Sequence, residues 1–269
     1  MVADLEDIAD GFRRDGFVLV EGFFSPDEVE TMQPELTRYI DQVVPRLESR
    51  YVFHKAGDNG PIKHLTSPEL HDDFFKRMLT RRATLEVVEA CLGALAEPIG
   101  SEVFYKHANV GTETPYHQDN AYLHFDPADG VVVWIALDDV TVENGVMHYR
   151  KGAFELGDLD HFETNLPLFS KQLSTELDPV RFPEVPAVIK RGGSAIHHIQ
   201  PPHRAGPNNT DRDRRGFVCN YQGTRARWTS GAKPHMTPTR PRFTGKTNPN
   251  DCCQGGRQRI VQFCRGRLN

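Results

Sequence analysis

Long apolar runs are missing from this 269-residue chain. No stretch approaches the roughly 18 residues that a membrane-spanning helix needs, so no span is expected. The opening MVADLEDIADGF is acidic and lacks an apolar segment, so no secretory leader is expected either. Cysteine is scarce and odd in number: Cys91, Cys219, Cys252, Cys253 and Cys264 follow no paired framework. A reducing, cytoplasmic setting is the simpler expectation. Cys252, Cys253 and Cys264 also match no zinc-ligand spacing. There is no internal repeat.

What is present suits one large globular domain: 38% hydrophobic and 26% charged residues, with length enough for a substantial core. The net charge of −5 is unevenly spread, because residues 225–269 hold ten Lys or Arg against the single acid Asp251. A basic tail can bind nucleic acid or an anionic surface. No aromatic-basic motif accompanies this one, so an irregular tail rich in Gly, Pro, Thr and Arg is the stronger reading. The domain is expected over 1–228, with a helical part at 1–95 and a β core at 96–228, followed by the tail at 229–269.

Ala3 to Arg13 reads as a short amphipathic helix with Leu5, Ile8 and Phe12 on one face. GFVLV, Gly16 to Val20, reads as a strand. Ser25-Pro26-Asp27-Glu28 is a helix start with a capping box, and Pro34 falls inside the helix it opens. That helix is expected to reach Ile40 or continue towards Leu47. Tyr51 to Thr66 reads as irregular, a surface loop or a cover over a site. Helices follow near 68–79 and 82–92, the second closed by Gly93. Strands are expected over 97–108, 131–137, 146–149, 185–190, 194–198 and 216–221. Helices first and many short strands after imply an α+β chain with an antiparallel double-sheet barrel.

His-x-Asp pairs carry the chemistry. A chain with 12 His holds about one such pair by chance. This one has three, and context separates them. His71/Asp73 lies in SPELHDDFFKRML, which reads as a helix opening at Ser67-Pro68, where residues two apart diverge. His124/Asp126 sits beside Pro127 in a turn-like segment. His117/Asp119, in ETPYHQDNAYL, follows a strand-like run, and on an extended strand both side chains share a face. With His203 in HRAGPN they make two imidazoles and one carboxylate. With its other positions open, that ligand set suits a non-heme Fe(II) oxygenase. Imidazole and carboxylate suit iron, whereas thiolates would favour zinc or clusters, and no Cys is near these residues in sequence. His197 and His198 are read as core or supporting histidines rather than ligands.

GFVLVEGFFSPDEVE, TPYHQDNAYL, VVVWIALDDVTVENGVMHYRKGAF and HRAGPNNTDRDRR occur in this order between Gly16 and about Tyr221. In these motifs the chain resembles the phytanoyl-CoA dioxygenase family of Fe(II)/2-oxoglutarate-dependent oxygenases. The resemblance implies a double-stranded β-helix of jelly-roll type with helices packed on it. It implies that His117, Asp119 and His203 are the iron ligands. It also implies that an Arg eleven residues beyond the second His, here Arg214, holds the far carboxylate of 2-oxoglutarate. A guanidinium fork suits a carboxylate, and strand alternation puts Arg215 on the opposite face. Arg212 is a further competitor. Trp134 stands at the family's cosubstrate-adjacent Trp, although a core aromatic accounts for it nearly as well. Gln118 is expected to point away from the metal if the strand is regular, and Asn120 and Tyr122 reach substrate only if the strand bends. Three features depart from the family: Ala205 where a Ser is usual, Gly192-Gly193 before the distal strand, and Arg150 to Phe154 after the Glu-Asn-Gly turn. The likeness fades beyond Trp228.

The implied reaction consumes 2-oxoglutarate and O2, releases succinate and CO2, and hydroxylates a substrate C–H bond. The family's substrates include acyl-CoA thioesters, amino-acid-like solutes and natural-product intermediates, and these motifs select none of them. Two other functions are compatible with such a fold. A non-catalytic jelly-roll protein that kept a metal site is disfavoured by the intact set of His117, Asp119, His203 and Arg214. A halogenase is disfavoured by Asp119, whose carboxylate sits where a halide would go.

Overall fold

Ser25 caps the first long helix as its sequence requires. Its hydroxyl accepts from the Glu28 N–H at 3.3 Å, and the Glu28 carboxylate accepts from the Ser25 N–H at 2.8 Å. The structure, a computed structural model, describes residues 4–54, 60–109, 113–166, 168 and 170–229. The basic tail from 230 and most of the Gly-Asp-Asn-Gly stretch at 57–60 lie outside the described residues.

In chain order the elements are α1 (Leu5–Asp15), β1 (Phe17–Val20), α2 (Pro26–Gln42), β2 (Val52–His54), β3 (Ile62–Thr66), α3 (Asp73–Leu79), α4 (Arg82–Leu92) and β4 (Ala96–Lys106). They continue with β5 (Thr114–His117), α5 (Asn120–Leu123), β6 (Gly130–Ala136), β7 (Met147–Arg150), β8 (His161–Glu163) and β9 (Lys171–Leu173). The last are β10 (Glu184–Pro186), β11 (Ser194–His198), β12 (His203–Ala205) and β13 (Arg214–Gly223).

A seven-stranded antiparallel sheet runs β1-β11-β6-β13-β4-β3-β2, and a four-stranded sheet runs β10-β7-β12-β5. Together they form the expected double-stranded β-helix, with α1 to α4 on the outer face of the large sheet. Alternation along the central strands decides what each face meets. Val131, Val133 and Ile135 of β6, with Phe217, Cys219 and Tyr221 of β13, pack against Phe12, Leu36, Tyr39, Phe75 and Val88 of the helical side. The opposite set, Val132, Trp134, Ala136 and Val218, faces the interior, where Tyr149, Val146 and Ile189 meet it. All of β6 is buried, because both of its faces are covered.

Several expectations are corrected. Tyr51 to Thr66 is not irregular throughout: β2 and β3 pair antiparallel, with Val52 opposite Leu65, and extend the large sheet. The 1–95 part therefore supplies three strands as well as helices. Ser67-Pro68 opens a single 3-10 turn, and the helix begins only at Asp73, after the N-cap Asp72. Leu5 lies outside the buried face of α1, which holds Ile8, Ala9, Gly11 and Phe12. The strand expected over 185–190 is confined to β10, leaving Ile189 in an isolated bridge with Val140. Among the described residues, no helix is long and apolar enough to cross a membrane.

Candidate active site

β5 and β12 are adjacent antiparallel strands whose register sets His117 directly opposite His203. Their ring centroids are 4.3 Å apart. Each ring is held from behind by a backbone carbonyl two residues earlier: Pro115 O lies 2.9 Å from His117 Nδ1 and Pro201 O lies 3.0 Å from His203 Nδ1. With Nδ1–H donated there, Nε2 of each ring is left as the lone-pair atom. Asp119 Oδ1 lies 3.7 Å from both Nε2 atoms. One atom from each of the three residues therefore falls within 4.8 Å of the other two. A cation bonded to all three at about 2.0–2.2 Å would fit between them.

Asp119 reaches this position by a different route from the one its spacing suggests. The strand ends at His117, and Asp119 is helical (φ −64°, ψ −30°), opening the single turn of α5. The pairing of His117 with Asp119 is thus a strand-to-helix corner, not strand parity. Gln118 fastens that corner: its amide donates to Gly157 O at 2.8 Å and Gln200 O at 2.6 Å, and it accepts from Leu159 N at 2.8 Å. It turns away from the cluster, but by way of the corner and not by the alternation of a regular strand. Asn120 is spent on structure, donating to Phe125 O and to Asp158. Tyr122 lines the cavity beside the cluster.

The charges in the cluster follow from burial. Desolvation pushes His203 down to about 3 and His117 below its ordinary range, so both rings are neutral and able to donate a lone pair. Burial opposes ionisation of Asp119 too, but the neighbouring His203 and a hydrogen bond from His197 outweigh it and keep the carboxyl ionised. His197 Nε2 donates to Asp119 Oδ2 at 2.9 Å, and its Nδ1 accepts from the Tyr149 hydroxyl at 2.8 Å. His197 is therefore the support for the carboxylate rather than a member of the cluster. Tyr149 had no signal in the sequence beyond its place on a strand. His198 is turned elsewhere, packing against Phe12 and Phe154.

The cluster opens into a cavity of about 430 Å³ between the two sheets. Phe53, Phe104, Leu123, Val132, Met147, Val218 and Trp228 give it apolar walls. Arg214, only 3% exposed, projects into it from the end of β13, and its guanidinium lies 5.2 Å from the Trp134 ring centroid. Its Nη2 donates to Gly145 O at 2.6 Å, while its Nε is buried without a partner among the described residues. Arg215 faces the other side and pairs with Asp138 at 2.7–2.8 Å, as alternation requires. Arg212 is exposed beside Asp211. Trp134 lies across Gly216, where an added Cβ would stand 2.1 Å from the ring.

A second polar group in the cavity belongs to none of the sequence motifs. His64 Nε2 lies 2.6 Å from Glu102 Oε2, and Asn220 donates to Glu102 Oε1 at 3.3 Å. All three are buried and all three line the cavity. Their sequence separation hides them: β3, β4 and β13 bring them together only in the sheet.

Comparison with known proteins agrees with this geometry. The family model described as phytanoyl-CoA dioxygenase matches residues 12–216, which span the cluster, Arg214 and Trp134. The chain belongs to the phytanoyl-CoA dioxygenase family. The family is one of non-heme iron, 2-oxoglutarate-dependent oxygenases, and this chain is an enzyme of that class. Among curated relatives, the phytanoyl-CoA dioxygenase domain-containing protein 1 of Mus musculus is 25% identical, covering 86% of this chain and 94% of that protein. The Bos taurus protein of the same name is 26% identical, covering 77% and 86%. Among solved structures, the non-heme monooxygenase ThoJ superposes with a TM-score of 0.69 at 27% identity, covering 85% of this chain and 80% of ThoJ. SnoN, a non-heme alpha ketoglutarate dependent epimerase from nogalamycin biosynthesis, gives 0.67 at 25% identity, covering 83% and 82%.

Proposed function

We propose that His117, Asp119 and His203 hold one Fe(II), that Arg214 binds the far carboxylate of 2-oxoglutarate beneath Trp134, and that the enzyme hydroxylates a C–H bond of a small molecule. The convergence of Asp119 Oδ1 with the two Nε2 atoms at the floor of a cavity carries this reading. Two neutral imidazoles and one carboxylate are the donor set that suits Fe(II) with open positions. When bound, iron supplies the redox chemistry that joins 2-oxoglutarate, O2 and R–H to give succinate, CO2 and R–OH. Asp119 fills the position that a halide would need, so hydroxyl is the group delivered. The residues proposed to do this all fall within 1–228, which we read as one oxygenase domain with 229–269 appended.

The chain's own contribution is positioning and exclusion of water. Arg214 offers a guanidinium with one hydrogen bond to Gly145 O and a buried, unpartnered Nε, which suits an incoming carboxylate. The apolar walls suit a substrate with a hydrocarbon body. The Glu102 carboxylate, with His64 and Asn220 on it, suits a hydroxyl or amide at one end of that body. A natural-product intermediate meets this description better than an acyl-CoA, because the cavity is small beside the thioester's long carrier arm.

The test loads the protein anaerobically with Fe(II) and 2-oxoglutarate, adds a panel of hydroxylated natural-product cores and acyl-CoA thioesters, and admits O2. Succinate equimolar with a product that has gained one oxygen supports the proposal. Succinate with a product of unchanged mass would replace hydroxylation by epimerisation. Absence of both coupled and uncoupled succinate formation across the panel would favour a non-catalytic metal-binding jelly-roll protein.

A further inference from the structure

Gln118 stands between two of the three cluster residues, and its backbone N–H lies beyond the strand ladder. β5 ends at His117, and the turn of α5 begins only at Asn120. Gln118 is buried, so an N–H without an acceptor there would be costly. The acceptor is an imidazole: Gln118 N donates to His161 Nε2 at 3.1 Å. His161 opens β8, in the insert between β7 and β10.

The ring of His161 is held as the rings of the cluster are held. Leu159 O lies 2.8 Å from its Nδ1, just as Pro115 O and Pro201 O meet Nδ1 of His117 and His203. In all three, Nδ1–H donates to a carbonyl two residues earlier and Nε2 keeps the lone pair. Two of these lone pairs converge with Asp119 Oδ1. The third faces the peptide that joins His117 to Asp119. His161 itself is outside the cluster.

The same insert takes the other polar groups of the corner. Gln118 bonds to Gly157 O and Leu159 N through its side chain, and Asn120 Nδ2 donates to Asp158 Oδ1 at 3.0 Å. From β9, the Lys171 ammonium donates to Ala121 O at 2.7 Å, and Lys171 N donates to the Tyr122 hydroxyl at 3.0 Å. β8 and β9 pair with each other, His161 opposite the buried Leu173. The segment that presents Asp119 is thus braced from this hairpin.

We propose that His161 is a positioning residue for the iron centre: by accepting the Gln118 N–H it holds the peptide between two ligands and sets the spacing of His117 Nε2 and Asp119 Oδ1. The proposal rests on the reading of His117, Asp119 and His203 as a metal site. It gives the β8–β9 insert a part in metal binding although the insert supplies none of the three ligands.

The experiment titrates the full-length metal-free protein anaerobically with Fe(II), and separately with Co(II), whose visible ligand-field spectrum reports coordination geometry. His161→Leu and His161→Asn remove the acceptor from the Nε2 position, and His161→Gln returns one with its carbonyl oxygen. Phe162→Ala, at an exposed position on the same strand, controls for damage to the hairpin. His161→Leu and His161→Asn are expected to bind Fe(II) about tenfold more weakly and to change the Co(II) spectrum. His161→Gln should recover both, and Phe162→Ala should match the wild type. Should His161→Leu not fold, the comparison of His161→Asn with His161→Gln decides alone. Wild-type affinity and spectrum in the variants without the acceptor would overturn the proposal. So would an equal loss in Phe162→Ala, or no recovery in His161→Gln, either of which would reduce His161 to a structural part of the hairpin. A wild type that binds neither metal would instead overturn the reading of the site, and this proposal with it.

Discussion

His197 donates from Nε2 to Asp119 Oδ2 at 2.9 Å, which leaves Oδ1 as the atom facing His117 and His203. The Tyr149 hydroxyl fixes the tautomer by donating to His197 Nδ1 at 2.8 Å. A metal-binding carboxylate depends on such a partner for its orientation and basicity. His197→Ala is expected to weaken Fe(II) binding about tenfold to a hundredfold, with Tyr149→Phe weakening it less. Anaerobic Fe(II) titration measures both. Equal affinities in wild type and His197→Ala would show that Asp119 needs no support.

Arg214 and Arg215 are neighbours on opposite faces of β13, one lining the cavity and one paired with Asp138. Arg214→Lys is expected to raise the 2-oxoglutarate dissociation constant about tenfold or more, because a fork is replaced by a single point of charge. Arg215→Lys alters only the ion pair with Asp138 on the other face and should leave that constant unchanged. The reverse pattern would mean that the strand register is misassigned.

Gly216 is required by Trp134. An alanine there would put Cβ 2.1 Å from Trp134 Cζ2, so the ring must move away from Arg214. Overpacking of this kind costs about 1–3 kcal/mol. Urea unfolding of Gly216→Ala should show a loss of that size, and 2-oxoglutarate binding should weaken with it. Wild-type stability would mean that the strands can spread to admit a methyl group.

Part of the order of helices and strands was readable where the signals are local, whereas the short strands β2, β3, β8 and β9 gave no such signal. Ser25 and Glu28 are three residues apart, and β6 is a continuous apolar run that only a strand covered on both faces explains. His117, His203 and Arg214 could be singled out, but how they meet could not. Strand parity pairs His117 with Asp119, but they meet by another geometry, since Asp119 belongs to the corner that Gln118 fastens to residues 157, 159 and 200. β12 is three residues between Pro202 and Gly206, too short to show a period. The His64–Glu102 pair joins residues 38 apart, and only the sheet register sets them together.

The central claim is that Asp119 completes an iron site with His117 and His203, and that this site consumes 2-oxoglutarate. The direct measurement is succinate released from 2-oxoglutarate when O2 is admitted to the anaerobic Fe(II) complex, in wild type and in Asp119→Ala. Succinate should form in the wild type, slowly without substrate and faster with one, and should not form in Asp119→Ala even where iron is retained. Equal succinate release by the two proteins would contradict the claim.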